Sequence, residues 1–147
     1  MIIGITGANG KTTTTALTGH IFRHAGRPTQ VGGNIGVPIT DLVAGSTPDG
    51  HVVLELSSFQ LEGVVGFDPT AGAVLNLTQD HLDWHGDMDA YAAAKKRIFG
   101  ANTVRVLNRN DARVMQMASP LATVVSFGTD TPSAPDCLGL TTEGGMD

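Results

Sequence analysis

Short apolar blocks alternate along the chain with stretches whose apolar residues recur at helical spacing. The blocks predict β-strands at 1–6, 29–31, 51–58, 70–78, 103–108 and 122–128. The helical spacing predicts helices that begin near residues 11, 39, 88 and 111. Fully apolar strands that alternate with helices are typical of a parallel sheet covered on both faces. We therefore predict an α/β fold, a doubly wound and mostly parallel sheet with right-handed crossovers.

The regular pattern fades after residue 127. Residues 1–127 therefore form one predicted domain, and 128–147 form an irregular tail that is rich in Thr, Pro and Gly. A further strand and helix should follow to cover the sheet, so we expect the domain to be incomplete at its C-terminus. A chain of 147 residues can bury a core as one domain but is too short for two ordinary domains.

Composition and charge exclude several classes of partner. The net charge is -5, and the only close basic group lies at 95–97, so no surface for nucleic acid is predicted. No apolar run approaches the roughly 20 residues of a membrane span, and 1–6 lacks the basic start of a signal peptide. The single cysteine cannot form an internal disulfide. We therefore expect a cytoplasmic protein that binds neither nucleic acid nor a membrane.

A glycine-rich turn, TGANGKTTTT, joins the first strand to the first helix. Gly7 and Gly10 let backbone N–H groups surround an anion, and the helix N-terminus adds its positive end. Lys11 can then reach the outer phosphates and Thr12 can offer a hydroxyl to Mg²⁺. The spacing departs from the usual P-loop pattern because Ile5 stands at the position of its first glycine. The alternative is an ordinary strand-to-helix turn with a solvated lysine.

Polar residues inside or just after the next strands are candidates for a site. Glu55 lies within an apolar strand, so it should have a strong donor or a cation such as Mg²⁺ beside it; a salt-bridged or outward-facing Glu is the alternative. A second group follows the next strand, where open α/β sheets bind ligands. This group consists of Asp80, His81, Asp83 and His85. One of them is predicted to contact a metal or phosphate, although a loop His is often a plain surface residue.

Three further residues have an ordinary interpretation from sequence physics alone. Asn34 in GGNIG is typical of a tight turn, with its amide available to a ligand if the turn faces the site. Lys95 and Lys96 lie on a predicted helix, where a solvated lysine is the usual case.

Five segments, taken together in their order and spacing, resemble the central ATP-binding domain of the Mur ligases. They are GITGANGKTTT, GGNIGVP, LELSSFQLE, LNLTQDHLDWHG and YAAAKKRI. The loop form T-G-x-N-G-K-T is shared across that superfamily, which includes folylpolyglutamate synthases, and this explains the Ile5 spacing. SSFQLE and the NLTxDHLDxHG phrasing resemble the branch of the family that adds D-glutamate.

The resemblance implies an ATP-dependent ligase of peptidoglycan precursor synthesis. ATP would phosphorylate the carboxylate of UDP-N-acetylmuramoyl-L-alanine, and the amine of D-glutamate would attack the acyl phosphate. The residues that the resemblance assigns to ATP are Gly7, Ala8, Asn9, Gly10, Lys11, Thr12, Thr13 and Thr14.

The resemblance also implies roles for residues outside the loop. Lys11, His81 and Lys95 would be catalytic, and two Mg²⁺ ions would be held by Thr12, Glu55, His81 and Lys95. Lys95 would carry a carbamate, which reverses its assignment as a solvated residue. Substrate contacts would come from Asn34, Ser57 and Gln60.

The family has three domains, and this chain begins at the first strand of the central one. We therefore expect a fragment of a monomeric enzyme that does not complete the ligation alone. Two alternatives stay open: a nucleotide-binding fragment without turnover, and a folylpolyglutamate synthase-like ligase that shares only the loop.

Overall fold

The computed structural model describes residues 1–45, 47 and 49–141. Strands and helices alternate through this part of the chain. The strands are β1 (Ile2–Thr6), β2 (Thr29–Gly33), β3 (His51–Glu55), β4 (Ala71–Val74), β5 (Val104–Asn108), β6 (Val124–Phe127) and β7 (Cys137–Leu138). The helices are α1 (Lys11–His24), α2 (Ile39–Ala44), α3 (Ser58–Glu62), α4 (Leu82–His85), α5 (Met88–Lys96) and α6 (Ala112–Met115).

The strands form one sheet in the order β2-β3-β1-β4-β5-β6-β7. Every strand pair among the described residues is parallel, which confirms the predicted α/β fold with a parallel sheet. The chain leaves β1 toward β2 and β3 on one side and later continues through β4 on the other. Ligands of open α/β sheets bind beyond the carboxyl ends of the strands at such a reversal of order. The ends of β1, β3 and β4 are therefore the place to look for a site.

Each face of the sheet has its own apolar cluster. On one face Ile5, Val53 and Ala73 are buried together, and α1 approaches so closely that a Cβ on Gly19 would overlap the Val31 side chain. The next residue of β3, Leu54, points to the opposite face. That face packs against residues from α2, α3, α5 and α6, and its core includes Leu54, Val74, Leu107, Leu42, Leu61, Tyr91, Ile98 and Val114. The apolar blocks are thus covered on both sides, as predicted.

The strands are shorter than their apolar blocks because polar turn chemistry ends them. The block 51–58 is strand only to Glu55, since Ser57 caps the start of α3. The short helices α3 and α4 lack enough length for a helical repeat to show in the sequence. The predicted helix over 88–99 is present to Lys96.

The segment predicted as an irregular tail contains a short strand. β7 pairs with β6 through Ser126↔Cys137 and Phe127↔Leu138, so the sheet continues past residue 127. Residues 142–147 of that predicted tail lie outside the described residues. Among the described helices none has the length and apolar character that crossing a membrane requires.

Candidate functional site

The glycine-rich turn leaves the start of α1 open. Gly10 caps this helix with φ +81, a left-handed conformation that glycine adopts without strain, and no side chain bonds to the cap. The first N–H groups of an α-helix have no partner within the helix. Together with the positive end of the helix dipole they form a site suited to an anion.

The first half of the turn is bound to the end of β4. The backbone N–H of Ala8 donates to the Asn76 carbonyl at 3.0 Å, and the N–H of Asn9 donates to Asn76 Oδ1 at 2.8 Å. In return Asn76 Nδ2 donates to the Asn9 carbonyl at 3.0 Å. The N–H groups of Ala8 and Asn9 are therefore already paired, and those open to an anion begin at Gly10.

Two lysine ammonium groups converge on one carbonyl of the turn. Lys11 Nζ donates to the carbonyls of Gly7 at 3.0 Å and Ala8 at 2.9 Å. Lys95 Nζ donates to the same Gly7 carbonyl at 2.9 Å and to Thr6 Oγ1 at 3.3 Å. Two positive charges thus lie beside the open helix end, which favours an anionic ligand there.

Lys95 is buried, in contrast to its neighbour Lys96. Its exposure is 2%, its Nζ lies 4.7 Å from the centre of the Tyr91 ring, and Lys96 is exposed. Burial is the main cause that lowers the pKa of Lys95 from 10.5 to about 8, and the positive charge of Lys11 lowers it further. The negative charge of Asp80 acts in the opposite direction and raises the pKa. The assignment of Lys95 as a solvated residue from its helix position was therefore wrong, because packing of α5 turns that position inward.

Glu55 has the donors that its burial requires. It is 2% exposed, Thr12 Oγ1 donates to Oε2 at 2.9 Å, and Asn34 Nδ2 donates to Oε1 at 3.1 Å. The approach of β2 depends on Gly33, whose φ is +113 and whose added Cβ would overlap the Glu55 carbonyl. The expectation of a strong donor beside Glu55 is thus confirmed.

His81 stands at the start of α4 with an unusual backbone. Its φ is +52, the only positive value for a residue other than glycine in the described ranges. Its Nε2 lies 3.4 Å from Asp80 Oδ2, and its ring meets the edge of the Phe59 ring at 4.9 Å between centres. A non-glycine residue held in this conformation is a mark of a functional site or a tight turn.

A cavity of about 120 Å³ lies between the two lysines, Lys11 and Lys95, and His81. Its lining residues are Lys11, Asn34, Ser57, Ser58, Phe59, Asp80, His81, Tyr91 and Lys95. Six of the residues singled out in the sequence therefore line this cavity, whereas Gln60 does not. Gln60 forms a capping box with Ser57: its N–H donates to Ser57 Oγ at 3.2 Å and its Oε1 accepts from the Ser57 N–H at 3.0 Å.

The oxygen ligands of the site fit one hard cation. Mg²⁺ is usually bound by one or two carboxylates, with waters and phosphate oxygens completing its shell. The Glu55 carboxylate beside the Thr12 hydroxyl provides such a starting set. Within the ranges that the structure describes, no three His, Cys, Asp or Glu side chains converge as a metal site.

Sequence reasoning missed the residues that hold the turn. Asn76 was visible only as a polar residue within the predicted strand 70–78, and its pairing with Asn9 depends on the β1–β4 alignment. Asp111 was also missed: its Oδ2 accepts from the Leu77 N–H at 2.7 Å while its Oδ1 caps α6. A helix-capping Asp is recognisable from sequence, but its second partner is 34 residues away.

These features define an open parallel α/β domain with a candidate anion site in the glycine-rich turn that follows β1. The chain belongs to the family described as the Mur ligase middle domain, whose sequence model matches residues 5–142. This confirms the family that the five segments indicated.

Similar proteins agree with that membership. The UDP-N-acetylmuramoylalanine--D-glutamate ligase of Ralstonia nicotianae is 55% identical over 150 residues, which are 99% of this chain and 30% of that protein. The MurF ligase of Thermotoga maritima in complex with ADP matches with a TM-score of 0.70 at 19% identity, over 89% of this chain and 33% of that one. E. coli FolC in complex with DHPP and ADP matches with a TM-score of 0.62 at 16% identity, over 90% and 44%. Both structural matches show the fold alone.

Proposed function

We propose that this chain binds Mg-ATP at the glycine-rich turn and is the ATP-binding part of a ligase that joins D-glutamate to UDP-N-acetylmuramoyl-L-alanine. One observation supports the nucleotide site above the others: Lys11, the open N-terminus of α1 and the Thr12–Glu55 hydrogen bond lie together at the glycine-rich turn. The names of the similar ligases support the reaction, and the chain spans about 30% of their length. The activity and substrates of the whole protein therefore belong to the proposal.

In the proposed ATP site each group has a separate task. The N–H groups from Gly10 through the first turn of α1 bind a phosphate, and Lys11 turns from the Gly7 and Ala8 carbonyls to the transferring phosphoryl group. Thr12 and Glu55 hold Mg²⁺, which offsets the charge on the phosphate oxygens. Asn34 donates to Glu55 and so keeps that carboxylate in place.

The acceptor side of the site is proposed around the cavity. Asn34 and Ser57, which line the cavity, and Gln60, which bonds Ser57, would contact the UDP-linked substrate. The carboxylate of this substrate would take the γ-phosphoryl group of ATP, and the amine of D-glutamate would then displace phosphate from the acyl phosphate. His81 helps to hold a second Mg²⁺ ion. Lys95, whose pKa of about 8 leaves part of its amine neutral, would add dissolved CO₂ through a new N–C bond and release one proton, and the resulting carbamate would be an anionic ligand. We also propose that the reaction occurs in the cytoplasm with a monomeric enzyme.

The nucleotide site is tested on the 147-residue chain by isothermal titration with Mg-ATP. Binding that is lost in Thr12→Val and kept in Thr129→Val supports the site, since Thr129 is exposed and bonds only within the turn around Asn110 among the described residues. Failure of the parent chain to bind Mg-ATP contradicts it.

The ligase reaction is tested in a chimera in which this chain replaces the matching segment of the Ralstonia nicotianae ligase. Release of phosphate that depends on both UDP-N-acetylmuramoyl-L-alanine and D-glutamate supports the proposal. Binding of Mg-ATP without that turnover favours a nucleotide-binding role. Turnover that needs a folate substrate instead favours a folylpolyglutamate synthase-like ligase.

A further inference from the structure

The end of β4 continues the pairing with β1 into the glycine-rich turn. The ladder joins Thr6 to Val74, the Leu75 N–H donates to the Thr6 carbonyl at 2.9 Å, and the Ala8 N–H donates to the Asn76 carbonyl at 3.0 Å. Beyond that point the backbones separate. The side chain of Asn76 then takes the place of a strand residue and bonds both the N–H and the carbonyl of Asn9.

The side-chain amide of Asn76 matches both groups of Asn9 at once. It carries an acceptor oxygen for the N–H and a donor NH₂ for the carbonyl, whereas a carboxylate at neutral pH only accepts. Asn9 Nδ2 adds a contact to Thr78 Oγ1 at 3.3 Å, so the turn meets the segment after β4 at several points. The tip of the turn is thereby fixed although Asn9 itself is exposed.

Asn76 is itself held from the other side. Asn108 Nδ2 donates to the Leu75 carbonyl at 2.8 Å, and the Leu77 N–H donates to Asp111 Oδ2 at 2.7 Å. The residues before and after Asn76 are therefore anchored to the end of β5 and the start of α6. A turn bonded to Asn76 is consequently fixed relative to the rigid sheet.

We propose that Asn76 is a positioning residue that fixes the glycine-rich turn so that its N–H groups from Gly10 onward face a triphosphate. It acts through Asn9 and needs no contact with the ligand. The inference rests on the proposed nucleotide site and deepens it. Loss of two hydrogen bonds that preserve the turn should weaken nucleotide binding by about tenfold or more.

The test uses the 147-residue chain with nitrogen-15 label and compares Asn76→Ala with Asn102→Ala. Asn102 is a matched control because its side chain also fixes a turn, by donating to Asp68 Oδ2 at 2.7 Å, but before β5 at the opposite ends of the strands. We expect the Asn9 amide to exchange about tenfold faster in Asn76→Ala and the Kd for Mg-ATP to rise about tenfold. Asn102→Ala should leave the Asn9 exchange rate and the Kd for Mg-ATP within about twofold of the parent. It should change the melting temperature by about as much as Asn76→Ala does.

Asn76→Asp provides a second variant in case the alanine variant does not fold. It keeps the acceptor for the Asn9 N–H and loses the donor, so it should also weaken Mg-ATP binding while the fold persists. Unchanged Asn9 exchange in Asn76→Ala, or a Kd for Mg-ATP that is unchanged in the Asn76 variants that fold, overturns the positioning role while the nucleotide site stands. A parent chain that does not bind Mg-ATP refutes the nucleotide site and the positioning role together.

Discussion

Burial of Lys95 makes the stability of the fold depend on pH in a defined window. Its pKa falls from 10.5 to about 8 on folding, mainly through burial. The unfolded chain therefore binds more protons between about pH 8 and 10.5, and stability rises with pH across that range. Below the window both states are protonated and the full penalty applies; above it both are neutral and the penalty is absent.

The size of this penalty follows from the shift. A lowering from 10.5 to about 8, at about 1.4 kcal/mol for each pKa unit, corresponds to roughly 3 kcal/mol. Lys95→Met removes the titrating group and keeps most of its volume. The free energy of unfolding of Lys95→Met minus that of the parent should therefore decrease by roughly 3 kcal/mol from pH 7.5 to 10.5.

Urea unfolding of the 147-residue chain in CO₂-free buffers measures this difference. Taking the difference cancels other groups that titrate in both proteins, as well as the constant cost of leaving Thr6 Oγ1 without its lysine partner. Lys96→Met is the matched control, since Lys96 is the exposed neighbour on the same helix. A difference for Lys95→Met that stays constant within about 0.5 kcal/mol over this range refutes the reasoning.

The remaining predictions concern the proposed reaction in the chimera. Lys11→Ala should lower turnover about 10²-fold or more because a positioned cation on the transferring phosphoryl group is lost; a kcat within about threefold of the parent contradicts this. Glu55→Gln should raise the Mg²⁺ concentration needed for half-maximal activity, since an amide lacks the charge that a hard cation prefers, and an unchanged magnesium titration argues against it. Labelled bicarbonate should give a carbamate carbon signal that is absent from Lys95→Arg and present in Lys96→Arg. A signal that persists in Lys95→Arg and vanishes in Lys96→Arg would assign the carbamate to Lys96 and contradict the proposal.

The sheet was predictable because its cause is local. Each strand is a short apolar block, and blocks such as 51–55 and 71–74 are covered on both faces of the sheet. A strand of this kind is recognisable from its continuous run of apolar residues. The length of α3 and the pairing of β7 were not predictable in the same way. A helix of five residues and a strand of two owe their shape to capping and to a neighbour already in place.

The site was predictable where a charged residue stands within an apolar segment of the sequence. A buried Glu55 without hydrogen-bond donors would be costly, and Thr12 and Asn34 provide these donors. Burial of Lys95 left no such mark, because the alanine-rich helix around it has no strong apolar stripe to show which side faces inward. Asn76 was missed since its role depends on two strand ends that lie 67 residues apart.

The strand order has a consequence for how the chain acquires its shape during synthesis. Among the described strands β1 is made before the other six, yet its neighbours in the sheet are β3 and β4, whose residues begin at His51 and Ala71. β1 therefore waits without its sheet partners until β3 has been made, and its contacts are of the long-range kind that slows folding. The glycine-rich turn can take its final conformation only after Asn76 has emerged, so the anion site is completed late although its sequence comes first.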